Sequence, residues 1–163
     1  MTIQLQPVTT FKFNDLIEKC REFVPEIFPW DLADKMKQGD SMLLLDVREP
    51  YEFHEMHIKD SLNVPRGILE SAVEWGYEET VPELVEARSK EVIIICRAGN
   101  RSLLAGRTLQ SMGYGHVCSL KTGLRGWNDF EQSLIDSADN DVALEAADDY
   151  FTSRVSETQL GKK

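Results

Sequence analysis

The chain has 163 residues and contains no apolar run that approaches the length of a membrane-spanning helix. Its first ten residues, MTIQLQPVTT, lack the basic start and the apolar stretch of a secretory signal peptide. We therefore expect no membrane partner and a cytoplasmic location. Internal repeats and low-complexity linkers are also absent from the sequence, and its length suits one domain with some additional chain.

Cysteine and histidine are scarce, with three of each. The cysteines, Cys20, Cys96 and Cys118, are widely spaced and odd in number, and no Cys-x-x-Cys pair occurs. This pattern argues against a disulfide framework and against a zinc site, and the histidines have no metal-binding spacing with them. We expect neither a metal nor another cofactor.

Positive charge is in short supply, because 18 lysines and arginines face 28 acidic residues and leave a formal net charge of −10. Such a balance argues against broad binding to nucleic acids and gives no attraction to acidic membrane surfaces. We expect no nucleic-acid partner. A local group of arginines can still capture a small anion, since close donors outweigh screened distant charge.

The pattern of apolar residues alternates between helical and strand-like segments. Helices are predicted at 13–23, at 29–38 with a C-cap at Gly39, and at 102–112, and two short helices are predicted within 68–88. Strands are predicted at 42–47, 61–64, 92–96 and 117–120. Strands that alternate with helices indicate an α/β fold in which a parallel sheet is covered on both faces. Binding sites in such sheets lie at the carboxyl ends of the strands, where Asp46 and Cys96 fall.

The segment EVIIICRAGNRSLLAGRTL, residues 91–109, carries the strongest functional signal. A buried strand ends at Cys96, a tight loop follows, and a helix opens at Ser102. Backbone N–H groups of the loop, the start of the helix, and the cations Arg97 and Arg101 all favour the thiolate form of a cysteine. The pattern therefore predicts a sulfur nucleophile held beside an anion site, whereas a buried core cysteine would be the plainer interpretation.

Five motifs follow one another along the chain: LLLDVRE at 43–49, Glu55-x-His57-Ile58, Asn63-x-Pro65, the six-residue cysteine loop, and Gly123 with Gly126-Trp127. In these motifs and their order, residues 29–132 resemble the rhodanese-like sulfurtransferases. The resemblance implies a three-layer α/β domain with a central parallel sheet of about five strands. Residues 1–28 are then expected to form an N-terminal helical extension. Residues 133–163 are expected to form an acidic, partly helical tail.

The resemblance also implies a sulfurtransferase in which Cys96 carries a persulfide between a donor and an acceptor. The loop residues Arg97, Ala98, Gly99, Asn100, Arg101 and Ser102 would line the substrate site, with the arginines binding the sulfonate end of thiosulfate. Expected substrates are thiosulfate and cyanide, or low-molecular-weight thiols and persulfides, and a sulfur-carrier protein is a further candidate partner. Asp46 and Arg48 would order the loop, although an ordinary supporting ion pair explains them equally well.

Two other functions remain open. Cysteine-dependent phosphatases and arsenate reductases are one alternative, but their Cys-x5-Arg loop is one residue longer than the Cys-x4-Arg spacing from Cys96 to Arg101. A non-catalytic rhodanese-like binding module is the other alternative, and the intact cysteine argues against it.

Overall fold

The protein folds around one five-stranded parallel sheet, seen in a computed structural model that describes residues 11–161. The strands are β1 (Glu26–Ile27), β2 (Leu43–Asp46), β3 (Leu62–Asn63), β4 (Val92–Ile95) and β5 (Val117–Leu120), in the spatial order β1-β5-β4-β2-β3. The α-helices are α1 (Phe13–Arg21), α2 (Pro29–Gln38), α3 (Pro50–Glu55), α4 (Leu69–Ala72), α5 (Pro82–Val85), α6 (Asn100–Ser111), α7 (Gly123–Asp129) and α8 (Leu144–Phe151). Short 3₁₀ turns lie at Arg66–Ile68 and Glu157–Leu160. Within this described part, no helix is long and apolar enough to cross a bilayer.

The two central strands, β2 and β4, explain the continuous apolar runs in the sequence. All four residues of each strand are buried, because helices cover the sheet on both faces. Alternate side chains point to opposite faces, so that Leu45 and Ile94 join one core cluster while Leu44 and Ile93 join the other. The predicted three-layer α/β fold with about five parallel strands is thus confirmed.

The segments expected outside the central domain contribute to the same sheet and core. Strand β1 lies in the expected N-terminal extension, yet it pairs with β5, and α1 packs on α6 through Ile17 and Cys20. In the expected acidic tail, the buried Ala147 and Phe151 of α8 pack into the core on the α2 and α7 face. Apolar burial therefore draws both segments onto the domain, and residues 1–10 of the expected extension lie outside the described residues.

The helix that follows the cysteine loop begins at Asn100, two residues before the predicted start at Ser102. Gly99 adopts a left-handed φ of 91°, which turns the chain sharply enough for the helix to start at once. The predicted C-cap at Gly39 is confirmed by its left-handed φ of 75° and its N–H bond to the carbonyl of Met36.

Candidate active site

Cys96 follows β4 at the carboxyl edge of the sheet, and only 1% of its surface is exposed. Its Sγ accepts a hydrogen bond from the backbone N–H of Gly99 at 3.1 Å. The hydroxyl of Ser102 lies 3.4 Å from the same sulfur and 2.7 Å from the hydroxyl of Ser119. The sulfur therefore lies beneath its loop, in contact with donors that stabilise negative charge.

The other loop residues differ in their environment. Ala98 is exposed at the tip of the loop, and the half-buried Asn100 is the first residue of α6. The positive end of α6 therefore lies beside Cys96, as the sequence indicated. Gly99 packs closely on the turn between β5 and α7, where a Cβ at position 99 would lie 3.1 Å from the backbone nitrogen of Thr122.

Helix α7 supports the cysteine loop from behind. The N–H groups of Leu124 and Arg125 donate to the carbonyls of Cys96 and Arg97, at 2.9 Å and 3.0 Å. Gly123 makes this approach possible, because a Cβ there would lie 2.6 Å from the carbonyl carbon of Arg97, and its φ is 59°. The glycine of the 123–127 motif thus has a physical role, which is to let α7 fix the loop carbonyls so that the Gly99 N–H stays directed at the sulfur.

The two loop arginines both bind groups within the protein. Arg101 forms a two-pronged ion pair with Glu52 of α3, through N–O distances of 2.6 Å and 2.8 Å. Arg97 donates to the carbonyl of Tyr150 at 2.8 Å, and its guanidinium lies over the rings of Tyr150 and Phe151. The expected contact of these arginines with a sulfonate stays a prediction, and each side chain has a clear positioning role in the structure.

Asp46 and Arg48 form an ion pair that is completely buried, with an N–O distance of 2.7 Å. Arg48 also donates to the carbonyls of Glu52 and Met56, which fixes the end of α3 against the sheet. Asn63 closes this arrangement by donating to the carbonyls of Asp46 and Arg48. The pair thus reaches the cysteine loop indirectly, because it positions the helix that carries Glu52.

Glu52 is the main residue that the sequence analysis missed. Burial favours a higher pKa for this carboxyl, but hydrogen bonds from Arg101 and from the backbone N–H of Glu49 outweigh it and lower the pKa below the usual value of 4.5. The Glu52 hydrogen bonds and charge in turn raise the pKa of Arg101, whose guanidinium stays charged. Glu49 and Glu52 form a capping box on α3, a local signal that accounts for a helix start and gives no hint of the distant arginine.

The other cysteines lie away from this arrangement. Cys20 is buried between α1 and α6, and Cys118 is half-buried on β5. Burial is the main reason why the pKa of Cys118 is raised to about 11, so this thiol stays protonated at neutral pH. Among residues 11–161, no group of three or more histidine, cysteine, aspartate or glutamate side chains is arranged to hold a metal ion.

The sequence model of the rhodanese-like domain matches residues 29–130, which is more than half of the chain. This chain belongs to the rhodanese-like family. Its match begins at α2 and ends just after α7, so it includes the cysteine loop, the Asp46–Arg48 pair and Glu52. The family resemblance predicted from the motifs is therefore confirmed.

Relatives of this rhodanese-like chain include proteins named for sulfur transfer. The putative sulfur carrier protein YrkF of Bacillus subtilis is 33% identical over 64% of this chain and 51% of its own length. A sulfurtransferase of Allochromatium vinosum is 30% identical over 64% of this chain and 88% of its own. The human single-domain sulfurtransferase TSTD1 superposes with a TM-score of 0.56 at 26% identity, covering 65% of this chain and 96% of the other. The chain matches only about half the length of YrkF.

Proposed function

We propose that this rhodanese-like protein is a sulfurtransferase that moves sulfane sulfur through a persulfide on Cys96. The observation that carries the proposal is the pair of groups on the sulfur: the Gly99 N–H, which donates at 3.1 Å, and the Ser102 hydroxyl at 3.4 Å, which can donate once the sulfur is a thiolate. A sulfur anion needs such donors both as the attacking thiolate and as the persulfide that follows. Relatives named as a sulfurtransferase and a sulfur carrier support the same chemistry.

The proposed first step uses thiosulfate as the donor. The Cys96 thiolate attacks the outer sulfur, a new S–S bond forms, and the S–S bond of thiosulfate breaks so that sulfite leaves with the electron pair. The product is the anionic persulfide of Cys96. In the second step, cyanide or a thiolate attacks the outer sulfur of the persulfide, and the Cys96 thiolate is the leaving group. Each step exchanges one S–S bond or transfers one sulfur atom, and neither requires a metal or an external oxidant.

The shape of the site supports a small donor. Cys96 is almost fully covered, so a donor attacked at an outer sulfur atom meets less obstruction than a phosphate ester attacked at its central phosphorus. The Cys-x4-Arg spacing also closes the loop one residue sooner than in the phosphatase alternative. Both features favour sulfur as the transferred atom.

Intact-protein mass spectrometry after brief incubation with thiosulfate tests the proposal. We expect wild type to gain one sulfur atom, Cys96→Ser to gain none, and the matched cysteine controls Cys20→Ser and Cys118→Ser to load like wild type. Cyanide should then remove the added sulfur and yield thiocyanate. Loading of the Cys96→Ser protein would exclude Cys96 as the carrier. No loading of wild type by thiosulfate or by a persulfide, together with hydrolysis of an aryl phosphate, would favour the phosphatase alternative.

A further inference from the structure

Arg66 is a cation whose side chain has no hydrogen-bonding partner among residues 11–161. It opens the 3₁₀ turn that follows β3, and its Nε is buried without any hydrogen bond. Across residues 11–161 this is the only buried side-chain nitrogen or oxygen in that condition. Buried polar groups are nearly always hydrogen-bonded, so the exception calls for a physical explanation.

The backbone places Arg66 at the carboxyl edge of the sheet, close to Cys96. The N–H of Arg66 donates to the carbonyl of Val47 at 3.1 Å, and the N–H of Val47 donates to the carbonyl of Ile95 at 2.9 Å. Two hydrogen-bonded strand spacings, roughly 10 Å, thus separate the chain at Arg66 from the chain at the nucleophile. The long side chain of an arginine covers most of that span.

The chain just before Arg66 packs into the same core as Cys96. Val64, two residues before Arg66, belongs to the same core cluster as Cys96. Pro65 between them has φ −56° and ψ 140°, and the 3₁₀ turn begins directly after it at Arg66. The chain at Arg66 therefore lies on the β3 side of Cys96, since β2 separates β3 from β4 in the sheet.

Three arginines around the cysteine loop are engaged within the protein. Arg101 is bound by Glu52, Arg97 is bound by the Tyr150 carbonyl, and Arg48 is fully buried with Asp46. Arg66, by contrast, forms no ion pair with any carboxylate in the described part of the chain. The terminal nitrogens of its guanidinium are left for a ligand, and this planar group suits the oxygens of a sulfonate or thiosulfonate anion.

We propose that Arg66 is the residue that recognises the oxyanion end of the sulfur donor. This proposal rests on the proposed sulfurtransferase function. In the first step, the thiolate of Cys96 bonds to the outer sulfur of thiosulfate, and the breaking S–S bond delivers its electron pair to sulfite. Arg66 binds the sulfonate oxygens before this step and the departing sulfite after it. The preferred donor class is therefore an anionic thiosulfonate-type molecule, in which a negative oxyanion adjoins the transferred sulfur.

The test measures single-turnover sulfur loading of full-length protein by mass spectrometry with two donors. Thiosulfate presents an oxyanion, whereas 2-hydroxyethyl persulfide presents an uncharged carrier end. We expect Arg66→Met to slow loading from thiosulfate by about tenfold to a hundredfold and to leave loading from the persulfide within about twofold of wild type. Arg66→Lys should recover part of the loss, since it keeps the charge without the planar fork. Sulfite should also compete less well against thiosulfate in Arg66→Met.

Arg107→Met is the matched control, because Arg107 is exposed on α6 over the ring of Phe23 and its loss changes the net charge equally. It should load like wild type with both donors. Equal loss with both donors in Arg66→Met would overturn the proposal by making Arg66 a structural residue, and wild-type loading from thiosulfate would overturn it outright. In both cases the sulfurtransferase function would stand, whereas it would fail if wild type loaded from neither donor. Thermal melts of each variant identify a loss caused by misfolding.

Discussion

The contact between Gly123 and the cysteine loop allows a quantitative test by the substitution Gly123→Ala. The new Cβ would lie 2.6 Å from the carbonyl carbon of Arg97 and 2.7 Å from the nitrogen of Ala98, well inside an ordinary contact of 3.4 Å or more. The neighbouring atoms are backbone on both sides, so either the loop or the start of α7 has to move by nearly 1 Å. The φ of 59° adds a second penalty for any residue with a Cβ.

The two penalties can be separated by the control Gly39→Ala. Gly39 has a φ of 75°, but a Cβ at this position would meet nothing within 4 Å. The left-handed backbone alone should lower the free energy of unfolding by about 1–2 kcal/mol in both variants. The clash of the new Cβ with the loop backbone should lower the free energy of unfolding by about 1–3 kcal/mol more, in Gly123→Ala only. At this chain length, each kcal/mol shifts Tm by about 2–4 °C.

The functional consequence should be confined to the same variant. A loop displaced by close to 1 Å no longer aims the Gly99 N–H at the sulfur, and misplacement on this scale can reduce rates by about a hundredfold. Urea unfolding gives the stability of both variants, and single-turnover loading of Cys96 from thiosulfate gives their activity. We expect Gly39→Ala to load like wild type. The reasoning is refuted if Gly123→Ala matches Gly39→Ala in stability and loads its cysteine at the wild-type rate.

Two further predictions concern neighbours of the loop. Ser102→Ala removes the hydroxyl next to Sγ, so sulfur loading of Cys96 should slow by about tenfold or more. The control Ser111→Ala removes an exposed hydroxyl of α6 and should load at the wild-type rate. Equal loading rates in the two variants would exclude a role for the Ser102 hydroxyl in stabilising the sulfur anion. The pKa of Glu52 is lower in the folded protein than its usual 4.5, so its ion pair with Arg101 stabilises the fold above that pH and less as the pH falls through the folded pKa. Glu52→Gln should therefore unfold more easily than wild type at pH 7, by about 1–3 kcal/mol, and this difference should shrink below pH 4.5 in urea titrations. A difference that stays constant from pH 7 to pH 3 would contradict the assigned pair.

The parts of the fold that depend on neighbouring residues could be predicted from the sequence. The apolar runs of β2 and β4, the C-cap at Gly39 and the strand–loop–helix around Cys96 were all located within one or two residues. Strand β1 could not be located from the sequence, because two residues, Glu26–Ile27, are too few to show an alternation of apolar and polar side chains. It becomes a strand only through pairing with β5, a partner more than 90 residues further along the chain.

The residues of the candidate active site also fall into a predictable group and an unpredictable group. Residue order was enough to predict that a cysteine ends a buried strand and is followed by a tight loop, a glycine and a helix start, because these groups are contiguous and their conformations are local. Only the folded chain shows that Arg101 binds Glu52, that Arg97 binds the Tyr150 carbonyl, and that the buried Nε of Arg66 has no partner within residues 11–161. An arginine shows its charge in the sequence but not its partner, since the partner is chosen by which segments the folded core brings within hydrogen-bonding distance.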